Sequence, residues 1–142
     1  MTTTHTFAFI KPRAARLYMK EIMQEIFENG IIVRRLETRP MTFDEATALY
    51  KQHLGKEWFE DLIEYTMSGP VVLMELEKVS SSSIVSFWRM MIGDTNSANA
   101  AGPTLRGRFG NKEVIRENAV HGSDSPEAAT RELAIFWPAH KR

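Results

Sequence analysis

The residues best suited to chemistry lie in one run, Asn118-Ala119-Val120-His121-Gly122-Ser123-Asp124-Ser125. His121 ends a short apolar stretch and precedes a turn of small hydroxyl and acidic residues, after which a helix begins. A neutral imidazole is a nucleophile at pH 7 without a base, because the unperturbed pKa of imidazole lies near neutrality. One ring nitrogen would attack while the other needs a partner. Glu132, two helical turns past Ser125, is the candidate for that hydrogen bond.

Three positively charged residues in other segments extend this candidate site toward a phosphate. Lys11 follows the first predicted strand, Arg89 lies in a predicted helix, and Arg106 lies in a long loop. Phosphoryl transfer needs a nucleophile in line with the phosphorus and positive groups that match the phosphate oxygens. Taken alone, each cation fits a solvated surface charge better, and a lone histidine is more often structural. The residues around each of them favour the functional interpretation.

Five motifs, in order along the chain, resemble those of the nucleoside diphosphate kinases. They are Ile10-Lys11-Pro12, Ser68-Gly69-Pro70, Arg89-x-x-x-Gly93-Asp94-Thr95-Asn96, Thr104-Leu105-Arg106-Gly107 and Asn118-x-x-His121-Gly122-Ser123-Asp124-Ser125. The resemblance extends from about Thr6 to Phe136, and the histidine run is its most specific part. It implies an enzyme that transfers the γ-phosphate of a nucleoside triphosphate to a nucleoside diphosphate by a ping-pong mechanism, through a phosphohistidine on His121.

The same resemblance implies roles for further residues. The residues expected to act in catalysis are His121, Lys11, Glu132, Ser123 and Tyr50. The residues expected to bind the nucleotide are Lys11, Trp58, Leu62, Arg89, Thr95, Arg106 and Asn118. In the family the lysine and the two arginines hold the phosphates, and the threonine and the asparagine add hydrogen bonds to phosphate and ribose. Ser123 and Glu132 would keep the phosphohistidine stable between substrates.

The base-binding position is expected at Trp58, where the family has a phenylalanine that stacks on the nucleobase. Leu62 would be its apolar companion one helical turn further on. Stacking contacts a ring face without distinguishing base edges, so such a pocket should accept all bases. The alternative is that Trp58 and Leu62 form only the apolar stripe of a helix.

Mg²⁺ is the expected cofactor, although the sequence has no cluster of His, Asp or Glu at metal-ligand spacing. The ion would be bound mainly by the nucleotide phosphates and by water, with Asp124 touching it through water. A Gly-x-x-x-x-Gly-Lys-Ser/Thr motif is also missing, which excludes a P-loop kinase.

Composition limits the class of protein. The 142 residues suffice for one core, and the absence of cysteine excludes disulfides and thiolate chemistry. Eighteen Lys and Arg balance eighteen Asp and Glu, which gives no reason to expect nucleic-acid binding. Apolar runs are short, as in Val71 to Met74, and the N-terminus has no secretory signal pattern, so we expect no membrane span and a cytoplasmic location.

Periodicity and turn residues predict the order of strands and helices. Strands are predicted at Thr6–Ile10, Ile31–Arg39, Pro70–Glu77 and Glu117–His121. Helices are predicted at Leu17–Asn29, from a capping box at Thr42 to about Leu54, at Lys56–Thr66, from Ser82 or Ser83 to Gly93, around Thr104–Phe109, and from Pro126, capped by Ser125, to Pro138. This order favours a single domain over residues 1–142 with a ferredoxin-like split βαβ fold. That fold is an α/β sandwich in which helices cover a four-stranded antiparallel sheet.

The chain departs from the family pattern at several places. Arg13 follows Lys11-Pro12 where the family usually has Asp, and Arg108 replaces Asp in the usual Arg-Gly-Asp. The loop Ala101-Gly102-Pro103 differs from the usual Lys-Pro-Gly, and the C-terminal tail is short. The family forms dimers, tetramers and hexamers from a common dimer, so we expect a homo-oligomer of undetermined size. Arg13 and Arg108 would be able to change nucleotide affinity.

Two other functions are weighed against this one. A catalytically weak nucleotide-binding or assembly module of the same fold is compatible with Arg13 and the altered loops, but it would not need the nucleophile and cations together. A nucleic-acid-binding sheet would need exposed aromatic residues and a basic surface. Phe7 and Phe9 share one strand face and are expected in the core, which argues against nucleic-acid binding. The remaining histidines have no flanking motif like that of His121. His5 and His140 are expected in mobile chain ends, and His53 near a helix end.

Overall fold

A four-stranded antiparallel sheet with the strand order β2-β3-β1-β4 organises the chain. The computed structural model describes residues 2–80 and 83–138. The strands are β1 Thr2–Ile10, β2 Ile32–Pro40, β3 Pro70–Ser80 and β4 Val120–Gly122. The helices are α1 Pro12–Glu28, α2 Phe43–Leu49, α3 Phe59–Thr66, α4 Ile84–Ile92, α5 Leu105–Phe109 and α6 Pro126–Phe136. The predicted fold class, an antiparallel four-stranded sheet covered by helices, is therefore confirmed.

The central strand β1 separates two apolar layers. Successive side chains of a strand point to opposite faces, so Phe7 and Phe9 enter one layer while Ala8 and Ile10 enter the other. The Phe layer packs against α2, α3 and α6, and the second layer against α1, α4 and α5. Phe7 and Phe9 are fully buried, which removes the exposed aromatic surface that an RNA-binding sheet would need.

The short strand β4 carries the histidine. His121 lies directly opposite Phe9 in the antiparallel register, so its side chain is on the face of the sheet covered by α6. The prediction that this strand begins at Glu117 was wrong. Glu117 ends a 3₁₀ turn, Ile115–Glu117, and Ala119 has φ +76°, a left-handed conformation that a strand cannot continue through.

The helix boundaries agree with the local capping chemistry. Thr42 and Glu45 form the predicted capping box, and Ser125 accepts a hydrogen bond from the Ala128 amide. Ser83 is the cap of α4, accepting from the Val85 amide, whereas Ser82 lies outside the described residues. The helix predicted to begin at Leu17 begins at Pro12, because a proline without an N–H is well suited to the first helical position.

The structure also differs from the sequence predictions for the first helix and for His5. α1 is kinked at Tyr18, where φ is −135° and ψ is 16°, so the periodic segment starting at Leu17 is the second part of a longer bent helix. His5 was expected in a mobile end, but it lies in β1 with its two ring nitrogens 2.6 Å from Glu75 and 3.1 Å from Glu77. His140 lies outside the described residues.

Candidate active site

The imidazole of His121 is held by a buried carboxylate. Its Nε2 atom lies 2.9 Å from Oε1 of Glu132, which is 2% exposed. The hydroxyl of Ser123 donates a hydrogen bond to the same Oε1 atom at 2.7 Å. An ionised carboxylate only accepts hydrogen bonds, so we assign the ring proton to Nε2 and the free lone pair to Nδ1. The sequence prediction that Glu132 would orient His121 agrees with this geometry.

Aromatic rings limit the movement of the imidazole. Phe9 stacks on it with a centroid distance of 5.4 Å and planes inclined by 27°, and Tyr50 meets it edge-on at 6.1 Å. The side chain of His121 remains 15% exposed. The ring is therefore fixed by packing and by Glu132, yet it is open to a substrate on one side.

Gly122 is required next to His121 because the chain passes close to Trp88. A Cβ atom at position 122 would lie 2.6 Å from Cδ1 of Trp88, closer than real Cβ contacts allow. The indole N–H of Trp88 donates to the carbonyl of His121 at 3.2 Å. These contacts fix the backbone on which the imidazole is mounted.

Lys11 brings a nearly buried positive charge to the end of β1. It is 5% exposed, and its ammonium group donates to the carbonyl of Arg116 at 3.3 Å. Burial, followed by repulsion from Arg106, lowers the pKa of Lys11 to about 7. The backbone amide of Lys11 donates to the Ala119 carbonyl at 2.8 Å, which ties this lysine to the segment that precedes His121.

Arg106 is the second nearly buried cation. It is 7% exposed, and its guanidinium donates to the carbonyls of Gly93 and Val120, both at 3.0 Å. Burial, followed by repulsion from Arg89, lowers its pKa to about 10. Val120 immediately precedes His121, so the backbone contact holds Arg106 close to His121.

The centre of this site contains polar groups that lack partners. The Nε atom of Arg106 and the Oδ1 atom of Asn118 are buried without a hydrogen bond within the described ranges. Within the same ranges, no carboxylate forms an ion pair with Lys11 or Arg106. Buried charges are normally paired, so the arrangement calls for an anion with several acceptor oxygens.

The remaining phosphate-binding candidates lie at the rim of the site. Arg89 forms a close ion pair with Asp124, and both side chains are substantially exposed. The carbonyl of Thr95 accepts a hydrogen bond from the Asn118 amide at 2.7 Å, while Thr95 itself is exposed. Arg89 and Thr95 are therefore exposed at the surface, where a ligand can reach them. Without a ligand, Arg89 is ion-paired with Asp124.

The two residues expected at the base have different surroundings. Trp58 is 47% exposed, whereas Leu62 is 6% exposed and packs in the apolar layer beneath α3. Tyr50 is 6% exposed, and burial, followed by the charge of Glu132, raises the pKa of its hydroxyl. The structure thus places Trp58 at the surface and Tyr50 between it and His121.

Ala119 is the site residue that sequence reasoning missed. It is the one residue other than glycine with positive φ in the described part of the chain. Strained residues of this kind are concentrated at functional sites. The residue type does not predict this conformation, since alanine disfavours it. The one sequence signal is the position of Ala119, two residues before His121.

The two unusual arginines contact the helices behind the site. Arg13 donates to the carbonyl of Phe109 at 3.3 Å, and Arg108 lies 2.6 Å from the carboxylate of Glu25. Both contacts join α1 to α5. These guanidinium groups are thus engaged in packing between helices.

An imidazole with one nitrogen hydrogen-bonded to a carboxylate, beside buried cations that the described residues leave without a carboxylate partner, is the arrangement of an enzyme that carries a phosphoryl group on histidine. The sequence profile of the family described as nucleoside diphosphate kinase matches residues 4–142. A nucleoside diphosphate kinase of Deinococcus radiodurans is 40% identical over 133 residues, which cover 93% of this chain and 93% of the relative.

Solved structures agree with the sequence match. The Aquifex aeolicus nucleoside diphosphate kinase superposes with a TM-score of 0.86 and 28% identity, covering 99% of both chains. A halophilic nucleoside diphosphate kinase from Halobacterium salinarum, solved in complex with CDP, gives a TM-score of 0.88 and 27% identity. That match covers 99% of this chain and 91% of the other.

The chain therefore belongs to the nucleoside diphosphate kinase family. It is a phosphotransferase that acts on nucleoside triphosphates and diphosphates, and phosphotransfer in this family typically uses a divalent metal ion. The alternative of a non-catalytic module is not favoured. Among the described residues, no helix is both long and apolar enough to span a membrane.

Proposed function

We propose that His121 is the nucleophile of this kinase, through its Nδ1 atom. The observation that carries the proposal is the shared Oε1 atom of Glu132, which accepts hydrogen bonds from both His121 and Ser123. This arrangement holds the proton on Nε2 and stabilises the positive charge that develops on the ring as Nδ1 forms a bond. The proposed roles of the other site residues follow from the family motifs in which they lie and from their charges.

The transfer step is written as an in-line displacement. The Nδ1 lone pair forms a bond to the γ-phosphorus, and the bond from that phosphorus to the bridging oxygen breaks, so that the nucleoside diphosphate leaves with its electrons. The buried charges of Lys11 and Arg106 stabilise the phosphate oxygens, with Arg89, Thr95 and Asn118 contacting phosphate and ribose. A second diphosphate then reverses the step and removes the group from His121.

Trp58 is proposed as the surface on which the nucleobase stacks, with Leu62 supporting it from the core. The exposed indole supports this role, because an apolar ring face open to solvent is available to a ligand. The Halobacterium salinarum relative was solved with CDP. Stacking without base-edge contacts would allow both purine and pyrimidine nucleotides here.

Mg²⁺ is proposed as the divalent ion. Among the described residues there is no group of three or more His, Cys, Asp or Glu able to hold a metal, and the carboxylate of Asp124 is 73% exposed and paired with Arg89. This shortage of protein ligands fits an ion that arrives bound to the nucleotide phosphates, with Asp124 contacting it through water. When bound, the ion neutralises phosphate charge.

A homo-oligomer built on a dimer is proposed as the assembled form. β2 is an edge strand of the sheet, and its Leu36 is 42% exposed, while Leu17 on the neighbouring α1 is 45% exposed. A cavity of about 600 Å³ lies between α1 and the ends of β2 and β3, lined by Met19, Thr38 and Tyr65 among others. Exposed strand edges with apolar flanks favour pairing with another chain.

A single domain over residues 1–142 and a cytoplasmic location complete the proposal. The family profile matches nearly the whole range. Cellular nucleoside diphosphates and triphosphates are the substrates concerned, and the cytoplasm holds them. Gel filtration with light scattering would measure the assembly directly.

The test of the proposed nucleophile is labelling of the purified protein with γ-labelled ATP and Mg²⁺. An acid-labile and alkali-stable label, discharged by GDP or CDP, is expected on the protein. His121→Asn, which keeps a polar side chain of similar size, should take up no label, and His5→Asn, whose ring contacts Glu75 and Glu77, serves as a matched control that retains it. Labelling of the His121→Asn protein would overturn the proposal. A protein that binds ATP without labelling would instead be the nucleotide-binding module.

A further inference from the structure

One ring contact at the base-binding end is not required by the transfer step itself. The imidazole of His53 lies against the indole of Trp58, with centroids 4.9 Å apart and planes inclined by 55°. Trp58 is 47% exposed and His53 is half-buried. Part of the indole therefore contacts His53, and part is open to a ligand.

His53 is held in place from the side of the nucleophile. It ends the 3₁₀ turn Lys51–His53, and its amide donates to the Tyr50 carbonyl at 2.9 Å. Its ring lies 6.3 Å from the ring of Tyr50, which in turn meets His121 edge-on. Because Tyr50 is buried, His53 is a well-placed support between the core and the surface.

Trp58 has few other constraints. The residues from Leu54 to Trp58 are all exposed, and a Cβ atom at Gly55 would meet nothing within 4 Å. Trp58 precedes α3 as its N-terminal flanking residue, without a side-chain capping bond. A large side chain on such an exposed segment samples several rotamers unless packing restricts it, and fixing it on ligand binding weakens affinity.

We infer that His53 is a positioning residue that holds the indole of Trp58 in the orientation that stacks on the nucleobase. The inference rests on the proposed role of Trp58. It predicts a contribution that depends on the base and not on the phosphates. Purine nucleotides should gain most, because their two fused rings cover more of the indole than a pyrimidine ring does.

The test compares His53→Ala with wild-type protein in binding GDP, UDP and pyrophosphate, each with Mg²⁺, by calorimetry. Loss of the ring contact should weaken GDP binding about threefold to tenfold, UDP binding less, and pyrophosphate binding not at all. In steady-state assays KM for GDP should rise while kcat changes little. His53→Phe, which keeps a flat ring, should restore GDP binding, and Gln52→Ala in the same turn is the control.

Two results would overturn the inference. Unchanged GDP binding by His53→Ala would show that Trp58 does not need this support. Equal weakening of GDP and pyrophosphate would show a general structural role. Failure of the proposed role of Trp58 is distinguishable from both, because Trp58→Ala would then bind GDP as tightly as the wild-type protein.

Discussion

The Nε2 atom of His121 lies 2.9 Å from Oε1 of Glu132, a carboxylate that is 2% exposed. Ser123 donates to the same oxygen at 2.7 Å, so one atom accepts two hydrogen bonds. Arg131, the residue before Glu132, lies 3.4 Å from the other carboxylate oxygen. The negative charge of Glu132 thus lies next to the imidazole of His121, where a positive charge develops during phosphate transfer.

Replacing Glu132 with glutamine keeps the shape of the side chain and removes its charge. We expect Glu132→Gln to lower the rate of phosphate transfer by about 10- to 100-fold, as is typical when a partner that orients a functional histidine is altered. Stopped-flow measurement of labelling by ATP reports the step. Glu127→Gln on the exposed side of the same helix is the control, and an equal loss in both proteins would contradict the proposed role.

The buried charge of Lys11 should cost stability while serving function. The pKa of Lys11 is lowered from 10.5 to about 7, so its protonated form is disfavoured in the folded state. We expect Lys11→Met to increase the free energy of unfolding at pH 7 by about 2 to 5 kcal/mol while abolishing phosphate transfer. Urea unfolding monitored by fluorescence measures the change.

The stability difference between wild type and Lys11→Met should depend on pH. Between pH 7 and 10.5 the unfolded wild-type chain binds a proton at Lys11 that the folded chain has released, so the free energy of unfolding of wild type rises with pH. The advantage of Lys11→Met is therefore complete below pH 7 and shrinks toward pH 10. A Lys11→Met protein less stable than wild type at pH 7 would contradict the account.

The sequence alone predicted the sheet and the contact between His121 and Glu132 because these depend on short-range patterns. The capping box at Thr42 and the Ser125-Pro126 start of α6 are short-range signals, and the structure contains both. His121 and Glu132 are separated by 11 residues, a spacing that one strand, one turn and one helix bridge. Such contacts are readable from the chain.

Contacts between residues far apart in the sequence could not be predicted from local patterns. The pairing of Arg13 with the carbonyl of Phe109 spans 96 residues, and no local pattern indicates it. The late start of β4, at Val120, depends on the positive φ of Ala119, which tertiary contacts impose against the preference of alanine. His5 was expected in a mobile end because its partners, Glu75 and Glu77, lie about half the chain away.

Nucleotide binding should take up a proton at neutral to alkaline pH. The pKa of Lys11 is about 7 in the ligand-free protein, and a bound phosphate would raise it by adding negative charge. Above pH 7 the dissociation constant for ADP should therefore increase, by up to about tenfold per pH unit until the pKa of the complex is reached. Calorimetry in buffers of different ionisation enthalpy counts the protons, and Lys11→Arg, which stays charged, should lose the uptake.

The backbone at Ala119 should tolerate glycine and reject branched side chains. Its φ of +76° is disfavoured for residues with a Cβ and especially for β-branched ones, whereas its carbonyl fixes the Lys11 amide at 2.8 Å. We expect Ala119→Val to lower the free energy of unfolding by about 1 to 3 kcal/mol and to reduce phosphate transfer, because the Lys11 segment shifts. Ala119→Gly should keep the activity close to wild type. Denaturation curves and labelling assays on both variants measure this, and equal stability of the valine and glycine proteins would show that the left-handed conformation is not maintained in solution.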